Sequence, residues 1–146
     1  KLDNTVRMQA ELSVDINANA GTFFHITGPD GAAKQPSRSR GTIAPPASAG
    51  FSTNRPNEYG AHLGRHSIPS HLSEVWWNGE KGVDSTAEQG TGNFGTYPLY
   101  LLSRGGNSIF SNTPARRAFV MGVPVAGTQV SDDDIELIRL WLMEGV

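Results

Sequence analysis

Three of the four histidines fall close together, at positions 62, 66 and 71, and Glu58 precedes the first by four residues. Neutral imidazoles suit zinc or copper, so the cluster is the first candidate for chemistry. An E-x3-H-x3-H run would stack Glu58, His62 and His66 on one helical face. Gly60 and Gly64 interrupt that helix, each at a cost of about 1 kcal/mol relative to alanine. The spacing therefore predicts a loop-borne site with His62, His66 and His71 as ligands to zinc or copper. Read without a metal, the same residues are solvated or hydrogen-bonded loop histidines.

Other patterns carry less chemistry. Asp15, Asn17 and Asn19 resemble the start of a calcium loop, but its sixth and twelfth places hold Ala20 and Ile26 instead of glycine and glutamate. The stretch Gly90 to Gly95 is formally G-x-G-x-x-G, yet no apolar strand precedes it, and it reads as a flexible loop. No G-x-S-x-G elbow occurs and no Ser, His and Asp set stands out as a triad, so no catalytic residue is assigned. Trp76 and Trp77 beside Tyr59, and Tyr97 with Tyr100, form either an aromatic platform or core packing. Arginines outnumber lysines, which favours interfaces and carboxylate pairing.

Stepping outward to the elements, residues 6 to 16 alternate apolar and polar without exception, from Val6 to Ile16. That pattern predicts a long strand with one dry face. A turn over 17–21, a second strand TFFHIT over 22–27 and a turn over 28–31 complete an antiparallel hairpin. From Ala32 to Ser70 no period is sustained and prolines recur, so a long irregular region is expected. Short helices are expected over 71–78, capped by Ser70, and over 97–103, capped by Thr96. Residues 118–125 are apolar enough for a buried strand or extended core segment. The last helix begins at Ser131, carries Asp132, Asp133 and Asp134 in its first turn and stops at Gly145. Capping and dipole matching explain those three aspartates without a metal.

The chain has 146 residues, enough for one domain. It contains no cysteine, which excludes disulfides, thiolate metal sites, iron–sulfur clusters and covalent c-type haem. A net charge of −2 gives no electrostatic basis for nucleic-acid binding, and no apolar run is long enough to cross a bilayer as a helix. The start at Lys1 and the lightly charged composition suggest a processed, exported protein in a periplasmic or extracellular setting.

The residues YPLYLLSRGG from Tyr97 and the stretch from Val120 to Val146 resemble the C-terminal half of bacterial cytochrome c-like domains. Leu99, Tyr100, Met121, Ser131, Asp132, Ile135, Ile138, Trp141 and Gly145 carry the likeness, and the closing helix is its most specific part. The resemblance implies a helix at Tyr97 and places Met121 near the family's axial haem ligand. Without cysteine it implies either a haem-less descendant kept for packing or a noncovalent haem.

The expectation is an α+β fold in one domain: a β-hairpin over 1–31, a long loop region over 32–70 and a helical, cytochrome c-like ending over 71–146. Its expected function is that of a non-enzymatic exported binding or assembly subunit. It would pack on a partner protein or a second copy, with the 6–16 strand adding to a neighbour's sheet. The alternatives are a metal-binding protein or metalloenzyme using His62, His66 and His71, and an electron-transfer subunit with noncovalent haem at Met121.

Overall fold

The computed structural model of the chain describes residues 7–13, 15–30, 33–53, 60–111, 117–122 and 129–144. Nine strands and one helix lie within them. They are β1 (Arg7–Leu12), β2 (Thr22–Thr27), β3 (Pro29–Asp30), β4 (Ala33–Arg40), β5 (Ala47–Phe51), β6 (His62–Ser67), β7 (Leu72–Trp77), β8 (Glu80–Lys81), β9 (Leu99–Leu101) and α1 (Asp132–Met143). The α+β class holds in its broad form, with β structure dominant.

The hairpin expected at the start is present, with β1 antiparallel to β2. The large sheet runs β3-β4-β2-β1-β9, and β5 also pairs with β4, on the edge away from β2 and β3. The small sheet runs β6-β7-β8. A two-residue loop joins β7 to β8, and Asn78 and Gly79 both take the positive φ that a type I′ hairpin demands.

Alternation along the strands sorts side chains into layers. Ala49 and Phe51 of β5 meet Val75 and Trp77 of β7 between the two sheets. On the far side of the large sheet, Phe24 and Ile26 pack with Ile16 and Ile109. On the far side of the small sheet, Leu63 and Trp76 pack with Ala61 and Ile135 of α1. The order is therefore large sheet, small sheet, helix. Arg65 ties the last two layers together by pairing with Glu74, donating to the Val130 carbonyl and meeting Asp132 at 2.9 Å.

The closing helix matches its sequence signals. Ser131 caps it, and a reciprocal bond from Asp134 completes a capping box. Its expected stop, Gly145, lies outside the described residues.

Several expectations are overturned. The region 32–70 is not an irregular loop, because β4, β5 and β6 occupy much of it. Small residues such as Ser37, Ser39, Ala47 and Ala49 gave no apolar period, yet all four are buried by their pairing and by the small sheet. The stretch 71–78 is strand β7, and 97–103 contains strand β9, where a helix had been expected in each. The ending over 71–146 is thus not helical before α1 among the described residues. The first strand covers Arg7–Leu12 and not all of 6–16, and it lacks the wet face its alternation implied. Glu11 and Ser13 are fully buried because β1 is covered on both faces. At Ala10 and Glu11 it also has neighbours on both edges, β2 on one and β9 on the other. Phe119, Val120 and Met121 are exposed where a core segment was expected, and 123–128 lie outside the described residues.

Candidate functional site

Strand β6 puts His62, Gly64 and His66 on the face toward the large sheet, and Leu63 and Arg65 on the face toward α1. Opposite them, β2 offers Phe23 and His25, β4 offers Ser37, and β7 offers Ser73 beside His66. The missing side chain at Gly64 leaves the space that the His25 ring occupies, since a Cβ there would overlap both that ring and the Ser37 hydroxyl. The result is a cluster of three imidazoles in the seam between the sheets. The His25 ring lies 5.4 Å from that of His62 and 5.2 Å from that of His66, centre to centre. Phe23 stacks on His66, and His62 packs against Trp77.

Hydrogen bonds fix the proton positions. Ser73 Oγ donates to the Ser37 carbonyl at 3.1 Å, so at its 2.9 Å contact with His66 Nδ1 it accepts. His66 Nδ1 therefore carries the proton, and Nε2 accepts from Ser37 Oγ at 2.9 Å. The Ser37 hydroxyl has then spent its one hydrogen and accepts from His25 Nδ1, also at 2.9 Å. Protons run one way along the chain, from His25 to Ser37 to His66 to Ser73. Among the described residues neither ring nitrogen of His62 makes a hydrogen bond of ordinary geometry, although the Gln35 backbone nearby opposes some of the cost of protonating it.

Burial pushes His25 well below the usual imidazole range, and the neighbouring His66 and His62 push it further. Burial takes His62 down to about 4 and His66 to about 3, the latter against the pull of the Glu74 carboxylate. All three imidazoles are neutral near pH 7. Glu74 itself points to the other face of β7, where burial would raise its carboxyl but Arg65 and Lys81 outweigh that and hold it low.

The predicted ligand set is divided. His62 and His66 come together, but with His25. His71 lies in the turn before β7, accepting from the Gln89 backbone N–H at 3.3 Å and facing Glu88 at 3.3 Å. Among the described residues no group of three His, Asp or Glu side chains is disposed to hold a metal ion. Glu58 and Tyr59 lie outside those residues. Met121 is 49% exposed, and Leu99 and Tyr100 lie on β9 where the cytochrome c-like pattern has a helix. Trp76 and Trp77 are core residues, which leaves no aromatic platform at their position. The loop from Gly90 to Gly95 rests on the first hairpin through a Gly95 N–H to Gly21 carbonyl bond of 2.8 Å. At the former calcium candidate, the Arg40 guanidinium binds the Ile16 and Asn17 carbonyls.

Sequence reasoning missed His25, Ser37 and Ser73. The signal for His25 was present: it shares a strand face with Phe23, two residues away. Nothing local marked the two serines. The buried pair of Glu11 and Arg104, 3.4 Å apart, was also missed; burial raises the Glu11 carboxyl against the pull of that arginine.

A second surface lies on α1. Leu137, Leu140 and Trp141 form an outward stripe at helical spacing, and Leu137 is 64% exposed. Phe119 contacts Trp141, and these residues with Ile138 line an apolar groove of about 330 Å³. Arg117 lies over the Trp141 ring and pairs with Glu144 at 3.0 Å.

The arrangement defines a class, a three-layer domain of two antiparallel sheets and one covering helix with a polar seam inside. No protein-family model matches the chain, and neither a curated protein nor a solved structure shows significant similarity to it. No helix among the described residues is long and apolar enough to cross a membrane.

Proposed function

We propose that this chain is a binding and assembly domain that docks on a partner protein through the outer face of α1. The observation that carries this reading is the stripe of Leu137, Leu140 and Trp141 left uncovered while Ile135 on the opposite face is buried. Contiguous exposed apolar surface of this kind marks interaction sites. The charges around it indicate what fits. Asp133 and Asp134 lie one turn before Leu137, whereas Glu144, one turn after Leu140 and Trp141, is paired with Arg117, so the net acid lies at the amino-terminal end of the stripe. A second copy laid parallel on the same stripe brings that acidic end against itself. The occupant that fits is an amphipathic segment of another protein, with an apolar ridge and a basic flank. Supporting the same reading, the histidine cluster bonds the sheets to each other, and Ser37 within it is fully buried.

A synthetic amphipathic helix of leucine and lysine serves as the probe. Trp76 and Trp77 are buried, so quenching by acrylamide reports chiefly on the exposed Trp141. Saturable protection of Trp141 by the basic peptide is expected, with loss of the effect in Leu137→Glu and weakening at high salt. Equal binding by a leucine–glutamate peptide, or no binding by either, refutes the proposal. Concentration-dependent self-association abolished by Leu137→Glu would make a second copy the occupant and refute it as well.

A further inference from the structure

The seam joins the two sheets by hydrogen bonds whose direction is fully specified. His25 Nδ1 donates to Ser37, Ser37 to His66 Nε2, His66 Nδ1 to Ser73, and Ser73 to the Ser37 carbonyl. Two of these links cross from one sheet to the other, between Ser37 of β4 and His66 of β6, and between Ser73 of β7 and the Ser37 backbone. The chain works only while His66 Nε2 is bare. A proton there turns an acceptor into a second donor aimed at Ser37 Oγ, which already accepts from His25. The Ser37 hydroxyl hydrogen then loses its acceptor at a position with no exposure to water.

Among the described residues no counter-charge relieves this. Ala10 faces His25 from β1, Phe23 lies beside it on β2, and Ser37 and the Gln35 backbone approach from β4. From β5 the seam receives Ala49 and Phe51. From β7 it receives Ser73 and Trp77, and from the loop before β9 it receives Phe94, which packs on Phe23. Among the described residues the one carboxylate acting on the cluster is Glu74, on the opposite face of β7 and already bound by Arg65 and Lys81. Arg65 likewise points away, toward α1. Protonated rings at His62 and His66, each within 5.4 Å of His25, would repel a charge on it without compensation.

We infer that the seam is a proton-operated latch: protonation of the His25, His62 and His66 cluster releases the small sheet, with the helix it carries, from the large sheet. Acidification breaks the crossing hydrogen bonds first, while the β1–β2 and β2–β4 ladders are held by backbone pairing that does not depend on a histidine ring. The inference is independent of what docks on α1.

The sign follows from linkage. Each ring has its folded value below the ordinary 6.5, so the released state binds more protons and is favoured as pH falls below about 6.5. Each ring that takes up a proton on release adds a tenfold shift per pH unit.

The test is an acid titration of the full chain followed by near-ultraviolet circular dichroism, which reports tryptophan packing at the seam, and by far-ultraviolet circular dichroism, which reports the strands and helix. The expected result is a near-ultraviolet transition below about pH 6.5, steeper than one proton allows, with the far-ultraviolet signal largely retained. His62→Phe removes a ring whose nitrogens have no partners, and it should move the midpoint to lower pH and reduce the steepness. His66→Gln should do the same where it folds, and His71→Gln, outside the cluster, should leave the midpoint unchanged. A transition unmoved by His62→Phe, a one-proton slope, or simultaneous loss of both signals overturns the inference.

Discussion

Replacing Gly64 with alanine tests the geometry of the seam most directly. The position has no positive φ, so the backbone accepts alanine and the effect comes from space alone. A Cβ at Gly64 would sit 2.8 Å from His25 Nδ1, and closer still to His25 Cε1 and Ser37 Oγ. Ordinary contact needs about 3.5 Å or more, so the ring, the hydroxyl or β6 itself must move. Overpacking of this kind costs about 1–3 kcal/mol. Displacing the ring also strains the two bonds at Ser37, each worth about 1 kcal/mol. The smaller entropy of unfolded alanine returns about 0.5–1 kcal/mol. The net expectation is about 3 kcal/mol of destabilisation, a large fraction of the 5–15 kcal/mol typical of a domain. With a urea slope of about 2 kcal/mol per molar, the denaturation midpoint should fall by about 1.5 M. The decisive comparison is a double-mutant cycle with His25→Ala, which removes the ring that the new methyl would strike. In that background Gly64→Ala should cost less than about 1 kcal/mol, leaving a coupling of about 2 kcal/mol. Additive costs would show that Gly64 is not the gap that admits His25.

Three further outcomes follow from the other layers. Ser131→Ala removes the hydroxyl that caps α1 and should lower stability by about 1 kcal/mol, measured by urea unfolding, with less helix by far-ultraviolet circular dichroism. Glu74→Gln leaves Arg65 and Lys81 without their buried anion and should cost about 3 kcal/mol near neutral pH. Because the Glu74 carboxyl is held below its ordinary 4.5, its contribution is present above that value and lost as pH falls through the folded one. The gap between Glu74→Gln and the unchanged chain should therefore close in acid, and a gap independent of pH would contradict the assignment. On α1, Ile135→Ala should cost about 2–4 kcal/mol, whereas Leu137→Ala, on the opposite face, should stay within about 0.5 kcal/mol by the same unfolding assay.

What was legible in the amino-acid order was local. The hairpin of β1 and β2 follows from alternation and turn residues, and α1 follows from Ser131, its aspartates and its apolar spacing, each a signal contained within one element. The middle strands carry no such signal, because their inward residues are Ser37, Ser39, Ala47, Ala49, Gly64 and Ser73, and small side chains register poorly as apolar periodicity. Strand β7 was misjudged because its signals compete. Ser70 after Pro69 imitated a helix cap, and Leu72, Val75 and Trp76 imitated a helical face. Pairing with β6 and the Asn78-Gly79 turn, itself a recognisable hairpin mark, make that segment a strand. Glu11 and Ser13 looked wet because alternation shows which residues share a face, not whether that face is covered. The histidine cluster was half legible: His62 and His66 stand out by spacing, but His25 joins them only through the packing of one sheet on the other.

The same small residues account for where the protein spends its polar and apolar groups. Two sheets faced with serine, alanine and glycine can approach closely, but they bury little apolar area per strand. Beside the apolar contact of Phe51, Val75 and Trp77, the histidine side of the seam is held by directional bonds. That arrangement explains why Ser37, Ser73 and the imidazoles lie inside, and why Gly64 must lack a side chain where His25 enters. It also makes the seam intolerant of a changed proton count, since a network with every hydrogen assigned has no spare acceptor. Phe23, Phe51, Val75 and Trp77 share the seam, and the other large apolar side chains lie outside it. Phe24 and Ile26 back the large sheet, Trp76 and Leu63 seat the helix, and Leu137, Leu140 and Trp141 remain outside. An interior held by hydrogen bonds and a helix with apolar residues on both faces are thus two sides of one distribution. The first makes the contact between sheets responsive to protons, and the second leaves the third layer able to meet another chain.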